Sequence, residues 1–284
     1  RVFVYPIDPR WLMDRVARGQ SAPFIPTHVK SRKGHRVKLV ITEKNIAAQR
    51  IAELLGATNP KADKVYSTPI YRFQKDGEDW VTIGLRGHIL EPDFVPNLVY
   101  KKRKGWSGVT EDGEIVDVSI PDDLPKPPYK RKRKPFTEDG IALSAWKMEA
   151  LPYLVYAPIQ KKPKEKDLIR SLKNLAKKAD SIVIATDFDR EGELIGSDAL
   201  AMVKEVNDTA PISRARYSAI TKEEINRAFA DLDQLDTNLA QAGESRQDID
   251  LIWGAVLTRY LTIVKFAGYG NVRSSGRVQT PTLA

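Results

Sequence analysis

The sequence predicts an α/β fold, a parallel sheet with helices on its faces, followed by a mainly helical region. Three observations carry this. Val37–Thr42 (VKLVIT) and Ser181–Thr186 (SIVIAT) are short, nearly continuous apolar runs of the kind that a parallel sheet buries on both faces. Each leads directly into an amphipathic stretch, Glu43–Leu55 and Glu191–Val203, which is the strand-to-helix order of an α/β unit. From Asp233 onward helical spacing dominates, with Leu235–Gly243 and Ser245–Leu261 as the candidate helices.

Residues 1–37 form a leader to which no role is assigned; residues 1–38 hold nine basic and two acidic side chains and four prolines. A short helix from Pro9 to Arg18 is expected there, because proline is tolerated in a first turn. Lys30–Lys38 (KSRKGHRVK) reads either as a phosphate-touching linker or as a solvated tether. Residues 38–218 form the α/β domain. After the first strand, Ile46, Arg50 and Leu54 alternate with Ala47, Ile51 and Leu55 at helical spacing, and Gly56 is a natural stop. Residues 65–73 and 80–85 are short strand candidates around the turn Lys75-Asp76-Gly77. Residues 96–136 read as loops and a hairpin with too little apolar content for a core of their own. Their basic clusters, Lys101–Lys104 and Lys130–Lys134, either track a phosphate backbone or are solvated. Leu168–Ala179 is an amphipathic helix, and a short strand follows at Ile212–Tyr217. A helix starts at Thr221, with Glu224 completing a capping box. Residues 219–284 are the mainly helical region, expected to be incomplete, and Gly268–Leu283 is loop.

Composition narrows the function. The 284 residues, 42% hydrophobic, suffice for two domains with sizeable cores. No run approaches 18 uncharged apolar residues, so no spanning helix and no membrane partner are expected. No secretory leader is visible, although the chain starts at Arg1. The absence of cysteine excludes disulfides, thiol catalysis and cysteine-based zinc sites. A net charge of +9 suits a polyanionic partner such as nucleic acid; a basic domain without such a partner is the other reading.

The densest chemistry is Thr186-Asp187-Phe188-Asp189-Arg190-Glu191-Gly192-Glu193, where the apolar strand ends and a helix begins. Side chains two apart on extended backbone point the same way, so Asp187 and Asp189 can converge beyond the sheet edge. Glu191 and Glu193 lie near the helix N-terminus, where negative charge is tolerated. So many carboxylates repel one another, and a hard divalent cation relieves the repulsion; oxygen ligands favour magnesium. An acidic N-cap with solvated charge is the plainer reading. Glu43 stands at the other strand–helix junction and can face Asp187 if both strands share a sheet, as a candidate general acid or base. Lys44 and Arg190 are placed to bind phosphate or stabilise developing charge.

These motifs resemble the Toprim domain, the magnesium-binding α/β fold of topoisomerases, primases and related nucleases. TDFDREGE at 186–193 is similar to the form found in type IA DNA topoisomerases. Gly87-His88-Ile89 resembles that family's GH turn. Ser245–Gly254 (SRQDIDLIWG) with Leu257-Thr258-Arg259 resembles its DNA-binding helix, and Ser275–Leu283 (SGRVQTPTL) its signature at the end of that region. Thr42-Glu43-Lys44-Asn45 is closer to the archaeal and topoisomerase III-like branch than to the bacterial topoisomerase I form. The likeness runs from Lys38 to Leu283.

The resemblance implies that Glu43 sits at the catalytic centre with Lys44 beside it, that Asp187, Asp189 and Glu191 hold Mg2+, and that Arg190 lies near the DNA backbone. It implies a single-strand groove containing Arg246 and Asp250, with Arg277 and Gln279 close by. Arg246 and Asp250 are also i,i+4 neighbours that can simply pair. Arg259 and Arg273 stay open between DNA contact and surface charge, as does His88 between the site and a surface turn; Glu193 is an undecided member of the acidic run. In the family the nucleophilic tyrosine follows the GRVQTPTL stretch, and none of the ten tyrosines here stands in that motif. The chain is therefore expected to act as part of a type IA topoisomerase, inactive alone, with DNA, mainly single-stranded, and a tyrosine-bearing remainder or subunit as partners. No nucleotide cofactor is expected, and the location is cytoplasmic, with the nucleoid. A Toprim nuclease or primase, and a non-catalytic DNA-binding subunit, are the alternatives.

Overall fold

The structure is a computed structural model describing residues 36–56, 59–130, 133–265, 271–278 and 282. The helix expected at 9–18 and most of the 30–38 tether lie outside the described residues. In chain order the elements are β1 (Val37–Thr42), α1 (Asn45–Leu55), β2 (Lys61–Val65), β3 (Thr68–Lys75), β4 (Glu78–Gly84), β5 (Leu90–Phe94), β6 (Asn97–Lys101), β7 (Gly105–Val109), β8 (Ile115–Asp117) and β9 (Gly140–Ala142). A 3-10 turn leads into α2 (Leu151–Leu154), then β10 (Ile159–Pro163), α3 (Lys166–Ala176), β11 (Ser181–Ile184), α4 (Arg190–Lys204), β12 (Ile212–Arg214), α5 (Lys222–Ala230) and α6 (Thr237–Val264).

The chain divides into two compact units. The first comprises His35–Pro92 and Lys162–Leu251, and the second contains Asp93–Lys161 and the described part of 252–284. Residues 219–230 pack back onto the sheet, where Ile225, Ala228 and Phe229 of α5 share a buried cluster with Ala48 and Ile51 of α1.

The first unit holds a six-stranded sheet in the order β12-β11-β1-β4-β3-β2. β12, β11, β1 and β4 run parallel, with Val40 opposite both Val183 and Thr82. β2 and β3 add an antiparallel edge; the strand expected at 65–73 is β3, which begins at Thr68 after a turn at Tyr66 (φ 52°), and β2 is a further strand before it. Strand periodicity explains the apolar runs. Leu39, Ile41, Ile182 and Ile184 face one way, onto Leu172 of α3 and Ile195 of α4. Val40 and Val183 face the other way, onto Ala48, Ile51 and Ile225. A helix layer covers each face, so the central positions Leu39–Thr42 and Ile182–Ile184 are buried whichever way they point.

Two local expectations change. The two helices expected across 235–261 are one 28-residue helix, α6, running straight through Gly243. A Cβ on Gly243 would lie 2.7 Å from the Arg190 carbonyl oxygen, so this glycine serves the close approach of α6 to α4 and not a helix stop. At α5 only half of the capping box forms. Thr221 Oγ1 accepts from the Glu224 backbone N–H (3.3 Å), but the Glu224 carboxylate accepts from Ser218 N–H (3.3 Å) and pairs with Arg227.

The second unit corrects the reading of 96–136 as loops without a core. It contains an antiparallel sheet in the order β8-β7-β6-β9. Leu98, Trp106, Ile120, Ile141, Leu143, Tyr153 and Leu154 are all buried. The Trp106 ring packs against Tyr100 (5.3 Å) and Tyr153 (5.6 Å). The apolar residues inside the window are too sparse to cluster alone, and their partners come from 141–154, beyond it. Among the described residues no helix is long and apolar enough to cross a membrane.

Candidate active site

Adjacent parallel strands bring the two strand–helix junctions together. β1 pairs with β11 through Ile41 opposite Ile184, so their C-terminal ends deliver Glu43 and Asp187 side by side. The Lys44 ammonium bridges them, 3.1 Å from Glu43 Oε1 and 3.2 Å from Asp187 Oδ2. The hydrogen bond to Glu43, then that to Asp187, holds the Lys44 pKa above its ordinary value. Carboxylates from different strand tips thus share one cation.

Two glycines permit this spacing. A Cβ on Gly84, the last residue of β4, would come 2.6 Å from the Lys44 carbonyl carbon, so only glycine lets β1 turn into α1 there. A Cβ on Gly192 would come 2.8 Å from the Asp187 carbonyl carbon. Asp189 caps α4, its Oδ1 accepting from Gly192 N–H at 2.8 Å. This is the physical reason for a glycine just inside that helix.

Beneath the cluster lies a buried clamp that the sequence reading did not include. Arg214 and Glu193 both have 0% side-chain exposure and pair at 2.7 Å. The Arg214 guanidinium also donates to the carbonyls of Thr186 (2.9 Å), Asp187 (3.0 Å) and Ala215 (2.6 Å). Glu193 Oε2 accepts from Asp236 N–H at 3.3 Å. Glu193 therefore faces the core and not the other carboxylates. The available signal was an arginine inside the short strand Ile212-Ser213-Arg214-Ala215, which must find a buried partner.

Glu191 goes elsewhere again. Its Oε2 lies 3.0 Å from His88 Nε2 and its Oε1 3.3 Å from an Arg246 guanidinium nitrogen. Arg246 also reaches Asp250 at 3.8 Å, the expected i,i+4 pair. Gln247, quoted within SRQDIDLIWG but given no role of its own, places its amide nitrogen 3.3 Å from the His88 ring nitrogens. His88 thus has partners that no sequence spacing revealed. Its turn is fixed by Arg86 (φ 60°) and Gly87 (φ 91°), with Gly87 N–H donating to the Glu43 carbonyl at 3.0 Å.

Asp187, Asp189 and Glu191 do not gather on one point, and among the described residues no group of three acidic or histidine side chains is placed to hold a metal. The residues nevertheless fit a hard cation. Glu43 and Asp187 already converge on a cation through oxygen alone, and magnesium typically binds one or two carboxylates, keeping water and substrate phosphate as its other ligands. Arg190 is exposed at the first position of α4 and makes no hydrogen bond or ion pair with the described residues. In the second unit Arg259 donates to the Leu143 carbonyl (2.6 Å) and stands 5.5 Å from the Trp146 ring centre, and burial pulls its pKa below the ordinary value. Arg273 and Arg277 are exposed, and Gln279 lies outside the described residues.

A mixed sheet with acidic residues at adjacent parallel strand ends, each followed by a helix, defines the class as an α/β domain with an acidic edge. Residues 38–220 match the Toprim domain, and the chain belongs to the Toprim family. Residues 234–284 match the DNA topoisomerase family. The chain is 38% identical over 245 residues to DNA topoisomerase 1 of Archaeoglobus fulgidus, covering 86% of this chain and 30% of that protein. It is 35% identical over 247 residues to DNA topoisomerase 1 of Thermoplasma acidophilum, covering 87% and 26%. Over 123 residues it is 35% identical to DNA topoisomerase 3 of Caenorhabditis elegans, covering 43% and 16%. The chain spans less than a third of the length of these relatives.

Proposed function

We propose that this chain supplies the metal site and part of the DNA groove of a type IA DNA topoisomerase, which opens and rejoins one strand by transesterification. The single observation that carries this is the Glu43–Lys44–Asp187 cluster at neighbouring strand tips. Mg2+ held by Glu43 and Asp187, with the free oxygen of Asp189, would neutralise charge on the scissile phosphate. Lys44 binds a non-bridging phosphate oxygen, and Arg190, exposed and unpaired, binds the backbone. Glu43 relays the proton released by the attacking tyrosine hydroxyl to the leaving 3′-oxygen, and the reverse on rejoining. The bond energy stays in a phosphotyrosine, so the reaction needs no nucleotide cofactor. Arg246 and Asp250 contact single-stranded DNA, and Arg273, Arg277 and Gln279 supply further contacts to it. The work on DNA places the protein in the cytoplasm, with the nucleoid.

Tyr217 is not the nucleophile. Its hydroxyl donates to the Ala185 carbonyl at 2.7 Å, and burial pushes its pKa up. The attacking tyrosine is supplied by another segment or subunit. The test is relaxation of supercoiled DNA with that partner present. Asp187→Ala with Asp189→Ala abolishes relaxation and leaves single-strand binding largely intact. Retained relaxation overturns the metal assignment, and metal-dependent cleavage with free ends and no tyrosine partner points to a nuclease instead.

A further inference from the structure

Phe188 stands between two acidic residues of the site and has no part in the reaction above. It is 48% exposed, whereas Tyr71, Phe73, Trp80, Tyr217 and Phe229 of the same unit are buried. Tyr66, also exposed, lies at the β2–β3 turn, on the far edge of the sheet. A lone exposed apolar side chain is ordinary. This one differs in how firmly it is held. On one side Asp187 is fixed by its ion pair with Lys44 (3.2 Å) and by the Arg214 guanidinium on its carbonyl (3.0 Å). On the other, Asp189 caps α4 through Gly192 N–H. The ring itself rests on Arg216, whose guanidinium carbon is 5.0 Å from the ring centre. Arg216 is anchored in turn, 2.8 Å from Asp233 Oδ2 and donating to the Gln234 carbonyl at 3.2 Å. Backbone and support together hold a half-exposed ring at the strand tips, backed by a cation. A planar apolar surface ordered before binding suits a planar π ligand, and nucleobases stack on such platforms without regard to sequence. Adjacent Cα atoms are about 3.8 Å apart, so the ring starts one residue from a carboxylate of the Glu43–Lys44–Asp187 cluster.

We propose that Phe188, backed by Arg216, is a stacking platform for a base of the strand whose phosphate occupies the Glu43–Lys44–Asp187 cluster, so that the base beside the reacting phosphate sets the register of the strand. The inference rests on the topoisomerase reading of the chain. It adds to that reading a contact with a base, where Lys44 and Arg190 take phosphate and backbone. Stacking requires no particular sequence, but it favours purines, whose larger ring system overlaps more of the phenyl face.

The experiment measures binding of single-stranded oligonucleotides to the 284-residue chain with Mg2+ present, for wild type, Phe188→Ala, Phe188→Leu and Phe188→Tyr. Phe188→Leu and Phe188→Tyr keep a side chain on Arg216, and the fold with it. Two strands of equal length are compared, an oligodeoxyadenylate and one in which every residue is abasic. On the base-bearing strand Phe188→Ala is expected to weaken binding about 5- to 150-fold, Phe188→Leu about 5-fold or more, and Phe188→Tyr less than about 3-fold. The slope of log affinity against log salt is expected to stay as in wild type, because stacking releases no counterion. On the abasic strand all four proteins are expected to bind alike. Equal affinity of wild type and Phe188→Leu for the base-bearing strand overturns the proposal, since an apolar side chain without a ring then serves. So does a loss in Phe188→Leu that is as large on the abasic strand, which puts Phe188 under the backbone and not under a base. Wild type that binds both strands with no dependence on Phe188 ends the platform and leaves the topoisomerase reading standing. Wild type that binds neither strand ends both.

Discussion

Replacing Arg214 tests the structural account most directly. Its guanidinium and the Glu193 carboxylate are wholly buried, and among the described residues the carboxylate accepts one other hydrogen bond, from Asp236 N–H. Arg214→Met leaves a carboxylate buried without its cation, and breaking a buried pair in this way costs about 3–5 kcal/mol. The carbonyls of Thr186, Asp187 and Ala215 lose donors at the same time, whereas the Ile184 carbonyl, 3.4 Å from the guanidinium, keeps the Ala215 N–H at 2.9 Å. Against a typical total of about 5–15 kcal/mol, that is a large share of the stability. With a urea slope of about 2 kcal/mol per molar, the unfolding midpoint falls by about 1.5–2.5 M. The companion variant, Arg214→Met with Glu193→Leu, removes the stranded charge and is expected to return to within about 2 kcal/mol of wild type, because an apolar pair can replace a buried ion pair. Urea unfolding followed by tryptophan fluorescence reads both. A single variant within about 1 kcal/mol of wild type, or a double variant no better than the single one, would refute the clamp.

Two further outcomes follow from the geometry. Gly192→Ala places a methyl against the Asp187 backbone and displaces either α4 or Asp187. It is expected to destabilise by about 1–3 kcal/mol and to abolish Mg2+ binding seen by calorimetry in the folded variant; unchanged stability and binding would show that the approach is not tight. Alkaline pH gives the other test. Lys44 and Tyr217 both have pKa values raised above their ordinary 10.5 and 10.0, Lys44 through its carboxylate partners and Tyr217 through burial. A raised value in the folded state means stability that is complete below the unfolded pKa and lost as pH rises through the folded one. The urea midpoint should therefore be level to about pH 9 and fall beyond about pH 10, less steeply in Tyr217→Phe; a midpoint that rises over that range contradicts both assignments.

The identity of the acidic junctions needed no tertiary information. Apolar runs that end in Glu43 and in Asp187 specify a doubly covered parallel sheet, and the placing of an acidic residue at the end of such a strand follows from backbone geometry that is local. The helix faces were legible for the same reason, since a 3.6-residue period is written in consecutive residues. What consecutive residues do not carry is which acid meets which base. Glu191 and Glu193 are two apart in sequence, yet one turns to His88 and Arg246 and the other to Arg214. Those partners sit 21 to 103 residues away. The second unit shows the same limit, because Trp106 needs Tyr153 to form a core and looks like loop without it. Local pattern fixed the buried parallel strands and the helix faces that pack on them; the pairing of buried charges and the completion of sparse cores were decided only when distant segments came into contact, since neither interaction exists until the chain has closed.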